Sequence, residues 1–82
     1  MKINLQITRN GESKTVTANA ADMVAFESKY NVSVTSLSSE PKMSYMLFLA
    51  WHSEHRQGNT KDKFEDWLND VETVGAGEES PK

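Results

Sequence analysis

The chain has no cysteine. That absence excludes disulfides, thiolate metal sites and cysteine nucleophiles. Its two histidines, His52 and His55, are fewer than the protein ligands a zinc centre gathers. The four glycines, Gly11, Gly58, Gly75 and Gly77, are too scattered to build a phosphate-cradling loop. No apolar stretch exceeds seven residues, far short of the roughly 20 that span a bilayer. Residues 1–7 interleave polar and apolar side chains, whereas a signal peptide needs a continuous apolar region, so the pattern argues against secretion. A basic patch is also missing. Residues 1–60 hold six Lys/Arg against five Asp/Glu, while residues 61–82 hold three Lys against seven Asp/Glu. The formal charge of −3 is therefore concentrated at the C-terminal end, and duplex nucleic acid is a poor partner.

What is present suits one small globular domain. The 82 residues are 37% hydrophobic and 26% charged, which leaves room for a single modest core. Without staples such a domain is marginal, and association is one way to stabilise it. Residues 2–9 alternate, with Ile3, Leu5 and Ile7 on one face and Asn4, Gln6 and Thr8 on the other, the pattern of a half-buried strand. Asn10-Gly11 follows, a pair suited to the positive φ angles of a two-residue hairpin turn. Residues 12–18 make the return strand. The turn sets Arg9 opposite Glu12, Thr8 opposite Ser13, Leu5 opposite Val16 and Ile3 opposite Ala18, which matches apolar residues across the pair. Lys14 falls opposite Ile7, where its stem can lie along the apolar face. Two strands are not stable alone, so the hairpin must rest on helices.

Three helices are predicted, at residues 20–30, 41–57 and 61–73. Asn19 caps the first, with Asp22 in its first turn. Met23, Phe26 and Tyr30 share one side, and Asn31 suits the left-handed stop. Residues 32–39 form a serine-rich connector whose Val34 and Leu37 turn towards the core. Ser39 or Glu40 followed by Pro41 opens the second helix, and Gly58 closes it. Thr60 opens the third, in which Phe64, Trp67, Leu68 and Val71 make an apolar stripe. Its other side carries Asp62, Glu65, Asp66, Asp70 and Glu72, with Glu65, Asp66 and Asp70 as a candidate docking face for a basic partner. The expected architecture is α+β and mostly helical: a hairpin over residues 2–18 packed on a three-helix domain, one globular unit over 1–74, and a flexible tail over 75–82.

Little in this pattern does chemistry. His52 and His55 stand at i and i+3 with Glu54 between them, and a metal-dependent enzyme subunit built on the three is one rival reading; the plainer one is a solvated last turn. The acidic residues of the third helix read as ionised surface carboxylates rather than an acid–base pair, which would need a pocket to separate their pKa values. The hydroxyls at 33–39 have no histidine nearby in sequence. Trp51 and Trp67 read as core rather than as base-stacking platforms. The chain is expected to be no enzyme and to carry no cofactor.

The second helix holds the seven-residue run Tyr45-Met46-Leu47-Phe48-Leu49-Ala50-Trp51, apolar on every side. On a helical wheel Met43, Met46, Leu47 and Ala50 make one face, expected to be core. Tyr45, Phe48, Leu49 and His52 make the other. That second face is either covered within the domain or left open for self-association or a partner chain, a use that methionine and aromatic side chains suit.

Three segments resemble the small tail assembly chaperones of long-tailed bacteriophages. They are Asp22-Met23-Val24-Ala25-Phe26-Glu27-Ser28-Lys29-Tyr30-Asn31, Leu49-Ala50-Trp51-His52-Ser53-Glu54-His55-Arg56-Gln57-Gly58 and Phe64-Glu65-Asp66-Trp67-Leu68-Asn69-Asp70-Val71-Glu72. The resemblance implies a non-enzymatic protein of the host cytoplasm, absent from the mature virion. Such proteins bind the tape measure protein, keep it soluble during tail assembly and tend to self-associate. A frameshift-extended form recruits tail-tube protein in many of these phages. The family has no motif that fixes individual binding residues. A rival of the same size is a phage or prophage regulator that docks on a host protein through the acidic third helix.

Overall fold

The computed structural model describes residues 2–33, 35–39 and 42–76. The strands β1 (Ile3–Arg9) and β2 (Glu12–Ala18) form the expected hairpin. Asn10 and Gly11 both take positive φ, 51° and 81°, as the two-residue turn demands. The register pairs Arg9 with Glu12, Thr8 with Ser13, Ile7 with Lys14, Leu5 with Val16 and Ile3 with Ala18. Leu5, Ile7, Val16 and Ala18 are buried on the inner face.

Helix α1 (Ala20–Tyr30) starts where its cap chemistry places it. The Asn19 side chain accepts from the Ala21 and Asp22 N–H groups, and the Asp22 carboxylate accepts from the Asn19 N–H, a complete capping box. Asn31 ends the helix in the left-handed conformation, its N–H bonded to the Glu27 carbonyl. A single turn, α2 (Ser36–Ser39), interrupts the connector, and Leu37 is partly buried against the core as expected. Val34 and Pro41, to which the sequence gives roles in the core and at a helix start, lie outside the described residues.

Helix α3 (Met43–Arg56) crosses the sheet and touches α1, α4 and all three strands. It closes in a Schellman motif: Gly58, at φ 80°, donates to His55 O, and Asn59 donates to Glu54 O. Among the described residues no helix is long and apolar enough to cross a membrane.

The third predicted helix is largely overturned. Helix α4 spans only Phe64–Leu68, and Val71–Ala76 is a strand, β3, antiparallel to β1. The sheet order is β2-β1-β3, so β1 is central and its second edge is filled from within the chain. Val71 satisfies the helical stripe through Phe64 and Leu68, but Val71-Glu72-Thr73-Val74 also alternates, and Val and Thr favour strands. The Asn69-Asp70 turn separates the two readings of the period. The domain is thus α+β with a three-stranded antiparallel sheet and helices α1, α3 and α4 as its main helical parts, and it is not mostly helical. Residues 75 and 76, expected in a flexible tail, belong to β3; residues 77–82 lie outside the described ones.

The faces of α3 fall only partly as expected: Ala50 is core, the Tyr45/Phe48/Leu49 side is covered within the domain, and Met43 is not buried. Tyr45, Phe48 and Leu49, expected on the contested face, are buried with Ala50 in the core. Met43, expected in the core, is 59% exposed, and Met46 and Leu47 are partly buried. An aromatic cluster decides the orientation. The Tyr45 ring sits 5.0 Å from both Phe26 and Tyr30, and Phe48 sits 5.7 Å from Tyr30, so α1 covers the Tyr45/Phe48 side.

Candidate functional site

Three places bring polar or aromatic side chains together. The first is a buried carboxylate. Capping α1 fixes Asp22 at the helix start, and α3 packs over it, so the side chain is fully buried. Oδ1 accepts from His52 Nδ1 (2.6 Å) and Arg56 Nε (3.2 Å), and Oδ2 accepts from Arg56 Nη2 (3.0 Å) and the Asn19 N–H (2.8 Å). Burial pushes the carboxyl pKa up, but the bonds from Arg56, His52 and Asn19 outweigh it and hold the value below the usual 3.8. The same bond to Asp22 raises the Arg56 pKa.

Ser53 lies one residue from His52, so the residue types of a hydrolytic triad are adjacent. The geometry does not make one. Ser53 Oγ donates to Thr17 O at 2.8 Å and accepts from Arg56 Nη2 and Gln57 Nε2, so its proton is committed to a backbone carbonyl. The cluster is a clamp joining the start of α1 to the end of α3 and, through Ser53, to the end of β2.

The second place lies between the hairpin turn and α4. Lys14 Nζ donates to Glu54 Oε1 at 2.9 Å, and Asn59 Nδ2 donates to Oε2 at 3.1 Å. The Lys14 stem follows the apolar face beside Ile7, and its head meets the buried Glu54 of α3. The Arg9 guanidinium lies 5.3 Å above the centre of the Trp67 ring and pairs with Asp70 at 3.3 Å. A partly open cavity of about 240 Å³ is lined by Ile7, Val16, Trp67, Arg9, Lys14 and Glu54 with the turn beside them. Trp67 Nε1 and Arg9 Nε are buried and have no hydrogen-bond partner among the described residues.

The third is an open groove of about 430 Å³ between the end of α1, the outer side of α3 and residues 61–65. Phe48, Trp51 and Phe64 make its apolar wall. Phe64 meets Phe48 at 5.7 Å and Trp51 at 5.6 Å between ring centres, and His55 stacks on Trp51 at 5.1 Å. Trp51 Nε1 donates to Asp62 O at 2.9 Å, which pins residues 61–63 against α3. Lys29, Lys61 and Lys63 line the rim together with Asp62 and Glu65. The Lys29 ammonium stands 5.6 to 5.9 Å from the ring centres of Tyr30, Phe48 and Phe64.

No protein-family model, curated protein sequence or solved structure matches the chain.

The residues singled out from sequence fall in different places. Tyr45, Phe48 and Leu49 are core side chains, so they cannot form an open partner face while the domain is folded. Phe48 alone reaches the groove, as part of its floor. His52 is half-buried and held by Asp22. Glu65, Asp66 and Asp70 are exposed but do not share a long helix face: α4 ends at Leu68, Asp70 pairs with Arg9, and Glu65 lines the groove. His52, His55 and Glu54 are held by Asp22, Trp51 and Lys14, three separate partners. The sequence pattern placed Asp22 in the first turn of a helix, with no sign that it meets Arg56 across 34 positions. The lysine rim has no signal in sequence either, because Lys29 stands far from Lys61 and Lys63 along the chain.

Proposed function

We propose that this chain is a non-enzymatic tail assembly chaperone of a long-tailed bacteriophage, which binds the tape measure protein in the host cytoplasm and keeps it soluble. The observation that carries this reading is an apolar ridge left open on α3. Met43, Leu47 and Trp51 stand at i, i+4 and i+8 and so lie along one side of the helix. Met43 is 59% exposed, and Leu47 and Trp51 are half-buried. Phe64 packs on Trp51 and extends the ridge. A row at i±4 spacing is the shape that fits the groove of a partner helix, and a flexible methionine at its end adapts to uneven partners. A tape measure protein is long, helical and apolar, which is the partner such a ridge suits. Self-association and recruitment of tail-tube protein through a frameshift-extended form belong to the same proposal.

Co-expression with the candidate tape measure protein tests it. The wild-type chain keeps that protein in the soluble fraction, and the Met43→Asp/Leu47→Asp variant, folded by circular dichroism, does not. A tape measure protein equally insoluble with and without the wild-type chain ends the proposal.

A further inference from the structure

The groove beside the ridge has a chemistry of its own. Among the described residues five cationic side chains have no carboxylate partner: Lys2, Lys29, Lys42, Lys61 and Lys63. Three of the five line this one groove, in a chain whose formal charge is −3. The exposed Lys29 side chain sets its ammonium 5.8 and 5.9 Å from the Phe48 and Phe64 ring centres, so a positive head stands over the apolar wall. Lys61 and Lys63 approach from the opposite side, on a segment fixed by the Trp51–Asp62 bond. Asp62 and Glu65 share the lining, so the positive excess is small and local rather than a general anion sink. That argues against a polyanion such as nucleic acid and for a ligand that offers one or two carboxylates beside an apolar group.

We infer that the groove formed by Lys29, Phe48, Trp51, Lys61, Lys63 and Phe64 docks an acidic amphipathic segment of a partner protein. Its apolar side chain lies on Trp51 and Phe64, and an Asp or Glu within one helical turn of that side chain meets the lysines. The charge complementarity sets which segment is chosen, and the aromatic wall supplies the contact area. The inference rests on the reading of the chain as a protein-binding module and adds the chemistry of the segment it takes.

Two dye-labelled helical peptides test it. In one, Glu flanks a central Leu-Phe pair by one turn on each side; in the other, Lys replaces every Glu. Binding is read by anisotropy, and its location by the indole N–H resonances of Trp51, on the groove, and Trp67, in the core. The expected result is that the acidic peptide binds and shifts the Trp51 signal alone, and the basic peptide does not bind. Lys61→Glu/Lys63→Glu then weakens the acidic peptide by about tenfold, since each exposed pair is modest and the reversal adds repulsion. Should that variant fail to fold, the wild-type chain gives the same answer through salt, which weakens the acidic peptide selectively. Equal binding of both peptides, no movement of the Trp51 signal, or a Trp51 shift produced by protein concentration alone, which would make the occupant a second copy, overturns the inference. Its failure is separable from that of the chaperone proposal. Acidic-peptide binding with an insoluble tape measure protein keeps the groove and removes the chaperone. Solubilisation with no peptide binding does the reverse.

Discussion

Arg56 holds Asp22 through two nitrogens on two oxygens, Nε to Oδ1 at 3.2 Å and Nη2 to Oδ2 at 3.0 Å. The fork fits the carboxylate, and the aspartate end of the pair is fully buried while the arginine end reaches solvent. Asp22 at the same time caps α1, so one carboxylate serves the start of a helix and its contact with another. Asp22→Ala should therefore lower stability by roughly 3 kcal/mol, because it removes a fully buried acceptor of four hydrogen bonds and opens the capping box. Urea denaturation measures this directly; a loss below about 1 kcal/mol, the scale of a surface pair, would show that the clamp contributes little.

The same carboxylate predicts an acid limb. Its pKa is lowered in the folded chain, so the unfolded state takes up the proton first as pH falls. The contribution is present above the ordinary value of 3.8 and is lost as pH drops through the folded value. Melting temperatures from about pH 7 to about pH 3 should fall more steeply for the wild type than for Asp22→Asn, which starts lower and lacks this titration. Parallel curves for the two proteins would contradict the assignment.

The orientation of α3 is open to a simple mutational contrast. Leu49→Ala, at a fully buried site, should cost about 2–5 kcal/mol, whereas Met43→Ala should stay within about 0.5 kcal/mol. Thermal unfolding of the two variants distinguishes the faces. Comparable losses would mean that Met43 is also packed.

Strand β3 covers an edge that would otherwise be free. Ending the chain after Asp70 should uncover the second edge of β1 and promote association through it. Size-exclusion chromatography of the shortened chain is expected to show species larger than the full-length one; an unchanged elution state with an intact hairpin would show that β3 does not guard the edge.

Much of the fold is legible where the local chemistry admits one solution. Asn10-Gly11 and the alternation around it fix the hairpin to the residue, and Asn19, Asp22 and Asn31 fix both ends of α1. Legibility fails where two solutions fit. Val71 obeys a helical period and a strand period at once, and only the free edge of β1 selects the strand. Residues 45–51 are apolar all round, so a wheel divides them into faces without saying which one α1 will cover. The groove is harder still, since Lys29, Trp51 and Lys63 share no local pattern and meet only through tertiary packing.

The central place of β1 also bears on the order in which the molecule is made. Strand β1 leaves the ribosome before both of its neighbours, the adjacent β2 and the far later β3. Arg9 meets Asp70, and the Gly11 N–H meets Glu72, each across 61 positions. Half the sheet therefore zips up locally, while the other half waits until residues 71–76 have been synthesised. Such late, long-range closure is slow compared with hairpin and helix formation. During that interval the nascent chain presents an unpaired β1 edge, which makes the interval before β3 docks the period of greatest exposure to misassembly.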